Sequence, residues 1–183
     1  HRTQAPQRLL QQSRTVLAGL SENSAHPVVE QRVQTIEHPL PLPPIQQQAI
    51  PVIRTGVDVL ASAQTGTGKT AAFTLPILDS LAKLVADKGD KVTSMPVLRA
   101  LILTPTRELA CQVADNVTNY SQFLPLSCGV IYGGKKMDSQ TKMLKKGVDI
   151  LVATPGRLLE HLNLRTIDLS HVKFLVLDEA DRM

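Results

Sequence analysis

The amino-acid sequence predicts an α/β protein in which helices flank a parallel sheet. Two observations support this prediction. Several short runs rich in Val, Ile and Leu are apolar at every position, as strands of a parallel sheet are when helices cover both faces. These runs alternate along the chain with longer segments of helical periodicity, which is the order produced by right-handed crossovers. The predicted order of elements is therefore βαβαβαβαβ.

The predicted elements follow one another at short intervals from residue 57 onward. Strands are expected over residues 57–61, 100–104, 128–132, 150–154 and 173–178, where β-branched and other apolar side chains cluster. Helices are expected over residues 69–85, 107–123, 137–146 and 157–162, where apolar positions recur at helical spacing. The polar segment 87–94 is predicted to be a loop.

Residues 1–43 differ from the rest of the chain, because Gln, Ser and Pro are frequent there. One amphipathic helix is predicted around residues 8–20. Over residues 37–44 four prolines remove backbone donors and fix φ, which predicts an extended lead-in rather than a helix or a central strand. The sequence thus divides into an N-terminal extension, 1–43, and an α/β domain, 44–183.

Composition excludes several classes of protein. With 43% hydrophobic and 20% charged residues, the chain resembles a globular protein rather than a disordered or fibrous one. Its apolar runs are too short to cross a bilayer, and no secretory signal is found. Cys111 and Cys128 are too few for a disulfide framework, which fits a cytoplasmic protein. The histidines, among them His161 and His171, lack metal-ligand spacing and are predicted in surface or loop positions.

The charge balance permits a polyanionic partner. Lys and Arg outnumber Asp and Glu by 20 to 16, which gives a net charge of +4. Aromatic residues make up only 3% of the chain. A protein that reads single strands by stacking bases on aromatic side chains is therefore disfavoured, and we expect any nucleic acid to be held by its backbone.

A glycine-rich loop follows the first predicted strand and opens a helix. It consists of Ala63, Gln64, Thr65, Gly66, Thr67, Gly68, Lys69 and Thr70. Gly66 and Gly68 allow backbone amides to approach phosphates, while the helix N-terminus and Lys69 favour anions. The hydroxyl of Thr70 would bind Mg²⁺. The general phosphate-binding pattern has Gly where this chain has Ala63, but strand, turn and helix occur in the required order.

An acidic pair, Asp178 and Glu179, ends the last predicted strand. One carboxylate can position Mg²⁺, and the second can polarise an attacking water. Because the strands of a parallel sheet end at one edge, Asp178 and the loop from Gly66 to Lys69 should open into the same crevice. The two features together predict nucleotide hydrolysis.

Three further predicted strands end in loops suited to anions. The loops contain Pro105, Thr106 and Arg107; Gly133 and Gly134; and Thr154, Pro155, Gly156 and Arg157. Each loop taken alone is equally consistent with an ordinary helix cap or turn. Together they form a row along the edge that carries the nucleotide site. A polymer with repeating phosphates can use the whole row, whereas one small ligand cannot.

Five motifs, in this order, resemble those of the DEAD-box RNA helicases. They are Ala-Gln-Thr-Gly-Thr-Gly-Lys-Thr at 63–70, Pro-Thr-Arg-Glu-Leu-Ala at 105–110, Gly-Gly at 133–134, Thr-Pro-Gly-Arg at 154–157 and Asp-Glu-Ala-Asp at 178–181. The residues at 45–51 and 115–121 resemble the bacterial RhlE-like branch. Gln46 matches the glutamine of the family's Q motif, which here lacks its usual Thr and its upstream aromatic residues.

The resemblance implies a RecA-like domain of the P-loop NTPase class with ATP and Mg²⁺ as cofactors. In such a domain Lys69 and Thr70 hold the ATP phosphates and Mg²⁺. Asp178 positions Mg²⁺ and Glu179 activates water. Gln46 reads the adenine.

The same resemblance implies that the three anion-binding loops grip the sugar-phosphate backbone of RNA. It also implies that the domain continues past residue 183 and that a second RecA-like domain in the parent chain completes the RNA clamp. The parent is therefore expected to be an ATP-dependent RNA helicase, whereas the piece from 1 to 183 is expected to be weakly active or inactive.

Two other functions remain open on the sequence. One is a catalytically inactive module that binds RNA or a protein, since the Q motif is altered and the downstream motifs of the family do not occur within these residues. The other is a DNA-directed translocase, which the Asp-Glu-Ala-Asp tetrad disfavours.

Overall fold

The structure, a computed structural model, describes residues 41–64, 66–86 and 96–183. The elements in chain order are α1 (Pro44–Arg54), α2 (Lys69–Ala86), β1 (Ala100–Leu103), α3 (Arg107–Tyr120), β2 (Cys128–Ile131), α4 (Met137–Lys145), β3 (Ile150–Ala153), α5 (Pro155–Asn163), β4 (Phe174–Leu177) and a 3₁₀ turn (Ala180–Arg182). The predicted helix at 8–20 and the predicted loop at 87–94 lie outside the described residues.

The four strands form one parallel sheet in the order β2-β3-β1-β4. Ala100 of β1 pairs with Ile150 of β3 and with Phe174 of β4, and Cys128 of β2 pairs with Ile150. Because every strand is four residues long and starts level with its neighbours, all four carboxyl ends reach the same edge. The predicted α/β class is confirmed.

Helices cover both faces of the sheet, which explains why the strands are apolar throughout. Ile102 of β1 packs on one face, against residues of α2 and α3 that include Leu81 and Val113. Leu101, its neighbour in the same strand, packs on the other face with Leu158 of α5. All five side chains are at most 6% exposed. Successive strand residues point to opposite faces, so each residue enters one of two cores.

The predicted strand over residues 57–61 is wrong, since no strand is assigned there. A strand exists only where its backbone pairs with a neighbour, and no strand within the described ranges pairs with this segment. Residues 58–62 instead line a cavity whose far wall includes Leu175, Val176 and Leu177 of β4. Val57 and Leu60 are 49% and 100% exposed. The apolar pattern over 57–61 is therefore not accompanied by the backbone pairing that makes a strand.

Helix α1 was missed at the sequence level. It begins at Pro44, the last residue of the predicted lead-in, where proline is tolerated because the first helical amide needs no partner. Ala49 and Ile53 are buried against Ala72 of α2. The apolar spacing of Ile45, Ala49 and Ile53 is helical and could have revealed the element.

The surface position predicted for His161 is also wrong. The residue is fully buried in α5, and its Nδ1 lies 2.7 Å from Thr166 Oγ1. Burial, reinforced by the charge of Arg157, lowers the pKa of His161. His171 lies at the surface as predicted. Among the described helices, none combines the length and apolar character needed to cross a membrane.

Candidate nucleotide and polyanion site

The predicted site residues gather at the carboxyl edge of the sheet. Thr104 follows β1, Tyr132 follows β2, Thr154 follows β3 and Asp178 follows β4. Since the strand order is β2-β3-β1-β4, the three predicted anion-binding loops follow three adjacent strands, and the acidic pair follows the fourth. One edge therefore presents a row of loops with the acidic pair at one end.

The glycine-rich loop has the backbone conformation that its glycines permit. Gly66 and Gly68 have φ of +83° and +90°, values that residues with a Cβ rarely adopt. Thr67 Oγ1 donates to Gln64 O at 2.7 Å, which closes the turn. Helix α2 begins directly afterwards at Lys69, so its free amides lie next to the loop. Thr65 lies outside the described residues.

Lys69 bonds back to the start of this loop. Its Nζ donates a hydrogen bond to Ala63 O at 2.7 Å. The positive charge of Lys69 also acts on the carboxyl group of Asp178, where it partly offsets the burial and the Glu179 charge that raise the pKa of that group. The predicted meeting of the glycine-rich loop and the acidic strand end is thus present. Thr70 is half-buried in the first turn of α2.

The pKa of Asp178 is nevertheless raised above its usual value. Burial is the largest cause, the charge of Glu179 is the second, and Lys69 opposes both. The backbone of Asp178 is fixed, because its amide donates to Leu103 O at 2.9 Å. A cation bound beside Asp178 and Glu179 would therefore favour the ionised form of Asp178.

Glu179 adopts a strained backbone conformation. Its φ of 53° and ψ of 47° are left-handed, which costs a residue other than glycine roughly 1–2 kcal/mol. The Glu179 side chain is 18% exposed, and its Oε2 accepts a hydrogen bond from Arg182 Nη1 at 2.8 Å. Strain of this kind is concentrated at functional sites, where the geometry of one side chain matters more than local stability.

A cavity of about 900 Å³ joins the loop to the acidic pair. Its lining includes Ala63, Gln64, Lys69, Asp178 and Glu179. Within the described ranges no group of three or more His, Cys, Asp or Glu side chains could hold a metal ion unaided. The donors present fit Mg²⁺ bound in part by phosphate oxygens, because Mg²⁺ commonly takes only one or two carboxylates from a protein.

Gln46 contacts the glycine-rich loop. The residue is 8% exposed in α1, and its Nε2 donates to Gly68 O at 3.2 Å. Helix α1 packs on α2 through Ala49, Ile53 and Ala72, which holds Gln46 against the loop. The described contact is with the protein backbone, so the adenine-reading role of Gln46 stays a prediction.

The loop after β1 is a capped helix start. Thr106 has an extended backbone and its side chain accepts from Leu109 N at 3.2 Å, as an N-cap residue does. Arg107 follows at the first helical position, 62% exposed, with its Nε 3.0 Å from Glu108 Oε1. The Arg107 guanidinium is thus exposed at the start of α3 but is paired with Glu108.

The other two loops leave backbone open to solvent. A Cβ added at Gly133, Gly134 or Gly156 would meet no atom within 4 Å. Only Gly134, with φ of +84°, needs glycine for its conformation. At Gly133 and Gly156 neither packing nor a positive φ accounts for glycine. The backbone at both positions is open to the approach of a ligand.

Arg157 lies where the second and third loops meet. Its side chain is only 9% exposed, its Nη1 donates to Lys135 O at 2.9 Å, and its Nε lies 2.9 Å from Glu160 Oε2. The predicted phosphate ligand is therefore engaged in joining two loops. Two residues that contact the site carried no sequence signal. Arg182 is bonded to Glu179, and Gln140 is bonded to the loop at Tyr132 and Lys135.

Comparison with known proteins identifies this arrangement. A family model described as DEAD/DEAH box helicase matches residues 43–183. The chain belongs to the DEAD/DEAH box helicase family. The resemblance stated from its motifs is confirmed.

Curated relatives within the family carry the name ATP-dependent RNA helicase. CshA of Limosilactobacillus reuteri is 46% identical over 140 residues, which cover 76% of this chain and 26% of CshA. DeaD of Escherichia coli strain K12 is 48% identical over 141 residues, which cover 76% of this chain and 21% of DeaD. The chain thus spans about a quarter of the length of these helicases. Its placement in the RhlE-like branch stays a prediction.

A solved structure of the family shares the fold. A hypothetical ATP-dependent RNA helicase from Sulfolobus tokodaii superposes with a TM-score of 0.68 at 32% identity. The match covers 86% of this chain and 42% of that one. The RecA-like, helix-flanked parallel sheet predicted from the sequence is therefore confirmed.

Proposed function

We propose that this chain is the ATP-binding part of an ATP-dependent RNA helicase. One observation carries the proposal. The glycine-rich loop and the pair Asp178 and Glu179 share a single sheet edge with three loops that offer open backbone and cations. Nucleotide and polyanion would then bind side by side, as coupling of ATP turnover to RNA binding requires.

The nucleotide would bind around Lys69. Amides at Gly66 and Gly68 and the start of α2 would receive the phosphates, and Lys69 would exchange its bond with Ala63 O for phosphate oxygens. Mg²⁺, held by Asp178, Thr70 and the phosphates, would neutralise charge on the reacting phosphate. Glu179 would exchange Arg182 for a water and orient that water toward the phosphate.

RNA would lie across β2, β3 and β1 along the row of loops. Thr106 and Arg107, Gly133 and Gly134, and the start of α5 at Thr154 to Arg157 would bind sugar and phosphate groups. Recognition by backbone agrees with an aromatic content of only 3%. We expect the strand to be read by shape and by its 2′-hydroxyls rather than by its bases.

The relatives are several times longer than this chain, and unwinding is accordingly proposed for the whole natural protein. In it, residues 44–183 would form part of the first RecA-like domain, and a second such domain would complete both the ATP site and the RNA clamp. Residues 1–43 would be an extension outside this core. We expect the protein to act in the cytoplasm, together with protein cofactors.

The test is the variant Glu179→Gln in the full natural protein. We expect ATP binding to persist and ATP turnover to fall by roughly 10²–10⁴-fold, the range for loss of a general base. RNA should stay bound in the presence of ATP, because hydrolysis releases it. Asp115→Asn is the control, since Asp115 is an exposed acid on α3 near the amino end of β2.

Unchanged turnover in Glu179→Gln would refute the role of that residue. RNA binding by the wild type without RNA-stimulated ATP turnover would instead favour a catalytically inactive RNA-binding module. Competition between RNA and DNA of one sequence separates a helicase for RNA from a DNA translocase, since only the 2′-hydroxyl and the thymine methyl groups differ.

A further inference from the structure

Gln140 lies beneath the loop that joins β2 to α4, and its side chain bonds the backbone at two points of that loop. The residue is 2% exposed, although glutamine is usually a surface residue. Its Oε1 accepts from Tyr132 N at 3.1 Å, and its Nε2 donates to Tyr132 O and Lys135 O, both at 3.3 Å. A buried amide with all these bonds made fixes the segment that it bridges.

The bridged segment contains Gly133 and Gly134, which have no side chains to pack and so do not themselves fix its conformation. No atom lies within 4 Å of a Cβ built on either glycine. The hydrogen bonds reported for the loop backbone come from Gln140 and from Arg157, whose Nη1 donates to Lys135 O at 2.9 Å. The shape of the loop therefore depends on polar side chains of α4 and α5 that lie behind it.

Tyr132 and Lys135, the two residues that Gln140 holds, both line a small cavity beside the loop. This cavity, of about 480 Å³, is lined by Arg107, Cys111, Tyr132, Gly134 and Lys135, together with Glu108. The Nζ of Lys135 lies 5.8 Å from the centre of the Tyr132 ring. Since Gln140 holds the backbone of both Tyr132 and Lys135, it orients the loop toward Arg107 on α3.

We propose that Gln140 is a positioning residue that pre-forms the loop from Tyr132 to Lys135 for an RNA strand. The proposal rests on the RNA binding proposed above. Gln140 is buried and does not touch the strand itself; it acts through the amides and cation of the loop. Without the Gln140 side chain the loop spends part of its time in other conformations. The apparent affinity for RNA then falls in proportion to the fraction of molecules in the binding conformation.

The test uses Gln140→Met and Gln140→Asn in the full natural protein. Methionine fills a similar volume without hydrogen bonds, and asparagine keeps the amide but is too short to reach Tyr132 and Lys135 together. Fluorescence anisotropy with a short fluorescein-labelled oligouridylate RNA should show a Kd about tenfold higher in both variants, as expected if the binding conformation falls to a tenth. The Kd for ADP should not change.

Steady-state ATP turnover separates positioning from general damage. We expect the RNA concentration for half-maximal stimulation to rise by a similar factor, while the rate at saturating RNA stays near that of the wild type. Asp149→Asn is the matched control. Asp149 is 4% exposed and accepts from Ser127 N at 3.0 Å and from Ser127 Oγ at 2.8 Å, at the opposite edge of the sheet.

Asp149→Asn should lower Tm and leave the RNA affinity unchanged. If the Gln140 variants behave in the same way, or if they weaken ADP and RNA binding equally, the proposal is wrong. If the wild type itself does not bind the oligouridylate, the proposed function is wrong and this inference is overturned with it.

Discussion

The side-chain amide of Gln46 donates to the carbonyl oxygen of Gly68 at 3.2 Å and thereby joins α1 to the glycine-rich loop. A Cβ on Gly68 would lie 2.5 Å from Gln46 Nε2, and the φ of Gly68 is +90°. Glycine is thus required there both for its conformation and for space. Gln46 supports the loop backbone directly, whatever it contributes to adenine recognition.

Replacing Gln46 by Ala should weaken nucleotide binding regardless of the base. The loop loses one partly buried hydrogen bond, which typically contributes about 1 kcal/mol, or roughly fivefold in affinity. Calorimetric titration with ADP and with GDP should therefore show similar losses relative to the wild type. A loss confined to ADP would show that Gln46 acts by reading adenine instead.

Replacing Asp178 by Asn should stabilise the protein near neutral pH while it abolishes ATP turnover. Burial and the charge of Glu179 raise the pKa of Asp178 in the folded state, so its ionised form costs stability. Stability of the wild type should fall as pH rises from the unfolded value of 3.8 through that raised pKa. The advantage of Asn in Tm should therefore shrink as pH is lowered through the same window.

Thermal melts followed by circular dichroism over a range of pH test this expectation. Asp115→Asn, at an exposed position on α3, should leave Tm unchanged at every pH. Addition of ADP with Mg²⁺ should stabilise the wild type more than Asp178→Asn, which lacks one Mg²⁺ ligand. A lower Tm for Asp178→Asn at neutral pH would contradict the electrostatic explanation.

Gly156→Ala should weaken RNA binding without loss of stability. The position lies in the first turn of α5, its Cβ would meet open space, and Ala is favoured over Gly in helices by up to about 1 kcal/mol. A methyl group there would nonetheless obstruct a phosphate that approaches the backbone. Gly147→Ala is the contrasting variant, because Gly147 has φ of +81° and a Cβ there would clash with Pro96 O.

We expect Gly147→Ala to lower Tm and to leave the RNA affinity of the folded protein unchanged. Anisotropy titrations and thermal melts on the two variants should thus give opposite patterns. If Gly156→Ala binds RNA as tightly as the wild type, the start of α5 is not part of the RNA-binding surface.

The two cysteines should differ in reactivity, and one should report RNA binding. Burial raises the pKa of Cys128 to about 12, so its thiol stays protonated and inert. Cys111 is half-buried and lines the cavity beside Arg107 and Tyr132. Iodoacetamide at about pH 8 should therefore modify Cys111 first, and bound oligouridylate should slow that reaction. Mass spectrometry of the labelled peptides measures both effects. If the oligouridylate does not slow the labelling of Cys111, RNA does not bind beside this cavity.

The sequence predicted the strands at 100–104, 128–132, 150–154 and 173–178 to within a residue or two, because burial on both faces leaves a continuous apolar signal. The same signal at 57–61 was misleading. The pattern of side chains indicates whether a segment is apolar enough for a buried strand. A strand forms only if its backbone also pairs with a neighbouring strand. The permissive loop at Gly66 and Gly68 and the helix cap at Thr106 follow from residue type.

Contacts between distant polar residues could not be read from the sequence. Nothing in the pattern around Gln140 distinguishes a buried amide from one on the solvent side of an amphipathic helix. Arg157 has the residue type of a phosphate ligand, yet its bond to Lys135 O depends on how β2 and β3 pair. His161 was predicted in a surface or loop position because it lacks metal-ligand spacing, and that spacing does not indicate whether a residue is buried. In each case the tertiary arrangement decides.

The unpaired side of β4 matters for the behaviour of concentrated protein. β4 pairs with β1 on one side, and no other strand in the described ranges pairs with it. Its four residues, Phe174–Leu177, are all apolar, and the facing wall of the cavity includes the fully exposed Leu60. An open apolar strand edge is a template on which strands from other molecules can add. Within the described ranges, the cavity proposed to bind the nucleotide therefore also adjoins the sheet edge on which strands from other molecules are expected to add first.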